Sequence, residues 1–116
     1  MRLSDIQALT RTVAVPLAQG EILISYYPTK INRATQSKYG AISAAIEAKT
    51  ATKEALTPEE EETSARFLCE LIADWDVELA EGEKAPLTPA FLIDELGFEI
   101  TRQITSKIME AVNPND

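Results

Sequence analysis

The tightest constraint on this chain is a block of strict alternation near its start. Val13, Val15 and Leu17 alternate with Thr12, Ala14 and Pro16, and Ile22, Ile24 and Tyr26 alternate with Leu23, Ser25 and Tyr27. A period of two puts each set on one face, so both runs read as half-buried β-strands. Ala18-Gln19-Gly20 supplies the turn, with Gly20 able to take positive φ. Pro16 has no N–H and belongs on an edge or at the hairpin end, while Pro28 stops the second strand. A hairpin is therefore expected over about residues 11–28. Two strands alone are marginal in water, so this pair has to rest on apolar helices or on another chain.

Everything after the hairpin has helical spacing. From 30 to 55 the chain is alanine-rich, and Ile31, Ile42, Ile46 and Lys49 mark a thin stripe along one long helix. Gly40 costs it about 1 kcal/mol relative to alanine and is the place where it could break. So thin a stripe suits contact with other helices better than burial in a large core. Thr57-Pro58-Glu59-Glu60 is a capping box, opening a second helix over about 58–76. Phe67, Leu68, Leu71, Ile72 and Trp75 form its apolar face. After a polar connection, Thr88 and Pro89 start a helix over about 89–96, which Gly97 ends or bends. A last helix over about 98–112 carries Ile100, Ile104, Ile108 and Val112 at i+4 spacing, and Asn113-Pro114-Asn115-Asp116 terminates it. With 116 residues, the expectation is one domain of the α+β class, mainly helical, with an N-terminal β-hairpin.

The chemistry is sparse. There is no histidine, which removes the commonest general base and metal ligand. Cys69 stands alone, so no internal disulfide or cysteine-based zinc site can form. The glutamates 59–62 point in successive helical directions and cannot converge on one ion. Asp74-Trp75-Asp76 lacks a third acidic group at motif spacing. No glycine-rich phosphate loop and no nucleophile–base set can be assembled, so no catalytic residue, metal or cofactor is expected and the chain reads as a non-enzyme. No apolar run reaches the roughly 20 residues a bilayer span needs, and the N-terminus lacks a signal-peptide core. These features read as a soluble protein of a reducing cytoplasm, with no membrane association.

Charge is unevenly spread. The net charge is −8, but residues 1–56 hold seven basic and four acidic side chains, a net +3, and residues 57–116 hold four and fifteen, a net −11. That balance argues against gripping a phosphate backbone, although Tyr26, Tyr27 and Tyr39 lie close to Lys30, Arg33 and Lys38. It permits head-to-tail self-assembly or steering toward a basic protein.

Two blocks carry a family resemblance. Thr12 to Pro16 followed by Gly20 to Pro28 resembles the opening hairpin of tail assembly chaperones from long-tailed (siphovirus-like) bacteriophages and prophages. So does the later order of Leu71-Ile72, Asp74-Trp75-Asp76-Val77, an acidic stretch with Gly82, Pro86-Leu87-Thr88-Pro89, Phe91-Leu92 and a closing Asn113-Pro114. The likeness covers about half the chain, at both ends, and residues 29–56 lie outside it. Leu96-Gly97 stands where relatives often have a helix-breaking Leu-Pro step. The resemblance implies a non-catalytic protein of the bacterial host cytoplasm that binds and solubilises the tape measure protein, assists tail tube polymerisation and is absent from the mature virion. It also implies the short form of a product that many relatives extend by ribosomal frameshifting. The tail tube subunit and further copies of the chain are additional candidate partners.

Candidate partner-binding residues are Tyr26 and Tyr27 on the hairpin, Trp75 on the second helix, and Ile100, Ile104 and Ile108 on the last; Trp75 and the isoleucines read more readily as the chain's own core, and the unpaired hairpin edge is the better interaction surface. The rival roles are a small acidic regulator or nucleic-acid mimic holding a basic protein, and a small enzyme subunit.

Overall fold

The hairpin forms where the alternation puts it, and a third strand joins it. The computed structural model describes residues 2–80 and 82–112. Strands β1 (Arg11–Leu17) and β2 (Gly20–Tyr26) are antiparallel, with Val15 opposite Ile22 and Leu17 opposite Gly20. The two-residue connection is possible because Gly20 holds φ at +147°. Val15, Ile22, Ile24 and Tyr26 point into the core, and β1, with its Pro16, is an edge strand.

The second helix is shorter than its sequence suggests. Helix α3 (Pro58–Leu71) ends at Leu71, and Ile72–Trp75 is strand β3, paired antiparallel with β2. Ile24 faces Trp75 and Tyr26 faces Ile72, with a bulge between them. The bulge inserts one residue, so Ile72 and Trp75 both turn inward although they are three apart. Such spacing copies a helical face, which corrects the expected 58–76 span. The sheet, in order β1-β2-β3, therefore supplies part of the hairpin's support itself.

The other elements follow local chemistry. A short helix α1 (Leu3–Gln7), not anticipated from the sequence, precedes the sheet. A 3-10 turn over Pro28–Lys30 leads into α2 (Arg33–Ala51), where Asn32 caps by accepting from the Thr35 N–H at 3.0 Å. Thus α2 starts and stops inside the expected 30–55, and Gly40 does not break it. Its end is a Schellman closure, with Lys53 at φ +59° and the Glu54 N–H donating to the Lys49 carbonyl. The polar connection after β3 holds a small hairpin, β4 (Glu78–Ala80) and β5 (Glu83–Lys84). Thr88 accepts from the Phe91 N–H, and Phe91–Leu96 is wound as a π-helix. Gly97, at φ +103°, separates it from α4 (Phe98–Val112). The expected terminator, Asn113-Pro114-Asn115-Asp116, lies outside the described residues.

The core lies between the inner sheet face, α3, the π-helical turn and α4. Leu68, Leu92, Ile104 and Ile108 are fully buried in it. Trp75 locks the layers together. Its ring meets Phe91 edge-on at 5.9 Å, and its indole N–H donates to the Ala85 carbonyl at 3.0 Å. Among the described residues no helix is long and apolar enough to cross a membrane.

Trp75→Phe removes that donor and strands the buried Ala85 carbonyl. The variant should lose about 1–3 kcal/mol of stability. Urea unfolding would check this, and a loss below about 0.5 kcal/mol would show that the indole bond contributes little.

Candidate protein-binding groove

Most of the residues expected to meet a partner are packed inside. Tyr26 and Trp75 are 2% exposed, and Ile104 and Ile108 are fully buried. They build the core, the favoured reading for Trp75 and the isoleucines, and Tyr26 joins them there instead of facing a partner. Tyr27 and Ile100 are half-buried. The Tyr27 ring is covered by the Lys30 ammonium at 4.2 Å, and its backbone N–H donates to the Leu71 carbonyl. Tyr39 stacks on Phe67 at 6.1 Å, and Lys38 lies over that same Phe67 ring. The tyrosines near the basic cluster thus have partners within the chain.

The Asp-Trp-Asp segment is structural. Asp74 pairs with Lys84 at 2.6 Å, which with the Trp75 N–H holds its carboxyl below the ordinary carboxylate range. Asp76 accepts from the Leu23 N–H at 2.9 Å while its own N–H donates to the Leu23 carbonyl. These bonds continue the β2–β3 ladder past Trp75. Among the described residues no three His, Cys, Asp or Glu side chains gather as metal ligands would. Cys69 is half-buried, and burial followed by the Glu70 charge raises its thiol pKa, so the sulfur is held protonated.

A concavity of mixed lining lies elsewhere, between α2, α3 and α4. Its volume is about 380 Å³. Tyr39, Ile42 and Ile46 of α2, with Ser43 and Glu47, form one wall, Phe67 and Ser64 of α3 the floor, and Glu99, Arg102, Gln103 and Ser106 of α4 the other wall. It exists because α2 is held loosely. Only Ile46 of its 19 residues is buried. Its side chains meet α3 through the Tyr39–Phe67 stack, Lys38 over the same ring and a Lys49–Glu60 ion pair at 2.9 Å. None of these brings α2 against α4, so the groove stays open. The sequence signal was the thin stripe through Ile42 and Ile46; nothing in α4's own pattern marked its polar face as the facing wall.

Comparison supplies no relative. No family model, curated protein or solved structure matches the chain. The groove is therefore read from its own geometry. From Tyr39 to Glu47 it runs about 12 Å along α2, room for two turns of a guest helix. An apolar wall facing a polar one is the arrangement that holds an amphipathic helix.

Glu60 sets how firmly α2 is pinned. The Thr57 N–H, then Lys49, hold its carboxyl below the ordinary value. A depressed folded pKa stabilises above the unfolded value, and that stability is lost as pH falls through the folded one. The stability gap between wild type and Glu60→Gln should be widest at neutral pH and close as pH falls through the lowered folded value of the Glu60 carboxyl. Thermal unfolding across that range would show it, and a gap independent of pH would rule out the ion pair as its origin.

Proposed function

We propose that this chain is a non-catalytic tail assembly chaperone, which holds helical segments of a phage tape measure protein in the host cytoplasm until tail tube subunits assemble around it. The observation that carries the reading is the open groove, in which the half-buried Tyr39 and Ile42 of α2 face polar residues of α4 over about two helical turns. An isolated helix so short is marginal in water, so the suitable guest is a stretch of a much longer helix. A two-turn contact also gives the modest affinity that lets polymerising tube subunits displace the chaperone. The net charge of −8 keeps a complex with an apolar client in solution. The order of hairpin and Asp-Trp-Asp motifs supports the family resemblance, and further copies of the chain coating one long client fit the same role.

The test is co-expression with a phage tape measure protein. The client should be soluble only with this chain and stay bound at high salt, because apolar contacts are not screened. Ile42→Asp, at a half-buried wall position, should weaken the complex roughly tenfold while the variant still unfolds cooperatively. A client equally soluble alone would overturn the proposal. So would a complex that dissociates in moderate salt, which is the behaviour of an acidic regulator on a basic partner.

A further inference from the structure

The charges around the groove add a selectivity that the apolar wall does not have. Glu47 stands on the α2 side, and Glu99 and Arg102 stand one helical turn apart on the α4 side. All three are exposed, and among the described residues none takes part in a salt bridge. Other acidic side chains nearby are already engaged: Glu60 with Lys49, Glu62 with Arg66. We infer that the groove selects an amphipathic helix with basic residues on both flanks of its apolar stripe, and with one acidic residue a turn away from the base that faces α4. The inference rests on the reading of the groove as a helix site and names the helix it takes.

The physical argument is charge complementarity at the exposed rim. Apolar residues of the guest one turn apart cover the half-buried Tyr39 and Ile42, beneath which Ile46 and Phe67 are already buried, and this places its flanking positions opposite the two walls. A base on one flank reaches Glu47, and a base on the other reaches Glu99. An acid one turn along then meets Arg102. A guest with acidic flanks puts like charges against both glutamates, which is the discriminating repulsion. Rim pairs are individually weak, so the expected selectivity is about three- to tenfold at low salt, shrinking as salt is added.

Synthetic amphipathic helices with one leucine stripe and either lysine or glutamate flanks, labelled for fluorescence anisotropy, would test it on the full chain. The lysine-flanked peptide should bind about three- to tenfold more tightly, and Glu47→Lys with Glu99→Lys should reverse the order. Both substitutions are at exposed positions, and circular dichroism checks that the double variant is folded. Equal binding of the two peptides, or a preference untouched by the double reversal, would overturn the inference while leaving the groove as a helix site. If neither peptide binds wild type, the helix-site reading falls, and the inference with it.

Discussion

Trp75 is the residue on which the arrangement of layers depends. It pairs across the sheet with Ile24, donates its indole N–H to Ala85 and meets Phe91 edge-on. Those contacts join the distant hairpin to the segment leading out of β5 and to the π-helical turn. A large ring with one polar atom suits this place, because the ring fills the layer junction and its N–H satisfies a carbonyl that burial would otherwise leave unpaired. Asp74 and Asp76 on either side then fix the strand, one through Lys84 and the other through Leu23. The motif is the seam of the fold, and this explains why its carboxylates gather no third ligand.

With the seam closed, α2 is the one long element left loosely held. The radius of gyration, 14.7 Å, exceeds the about 13 Å typical of a compact chain of this length, in keeping with a helix that buries a single side chain. Its alanines contribute helix propensity without apolar bulk, so α2 is stable as a helix yet gains little by packing. The Lys49–Glu60 pair and the Tyr39–Phe67 stack hold it at the distance that leaves a groove. Larger side chains on α2 would fill that groove, so the concavity depends on a weakly amphipathic helix.

The hairpin was legible because alternation has no helical counterpart, and α4 because its isoleucines repeat every four residues. The Thr57–Glu60 capping box also forms as its spacing predicts, with bonds of 3.1 and 2.9 Å. Reading failed where two periods coincide. Leu68, Leu71, Ile72 and Trp75 fit a continuous helical face, and only the bulge at β3 shows that the last two belong to a strand. The π-helix was also invisible, since it arises from tertiary closure: the Gly97 N–H reaches the Leu92 carbonyl, and the Thr101 hydroxyl lies 3.0 Å from that same oxygen. The groove needed the fold as well. Its walls come from residues some sixty positions apart, and sequence spacing says nothing of which polar face of α4 lies opposite Ile42.

The acidic excess changes meaning once its bonds are traced. Asp74, Asp76, Glu60, Glu62 and Glu78 each accept a hydrogen bond from within the chain. A carboxylate so engaged still adds to the long-range field, which aids solubility and slows approach by anionic molecules. It cannot fix a partner's position without surrendering or sharing its bond. Positional selectivity therefore falls to charges that remain uncommitted beside an apolar surface, and at the groove those are Glu47, Glu99 and Arg102. Total charge tells how the protein behaves in solution, whereas these three side chains bear on which helix it would hold.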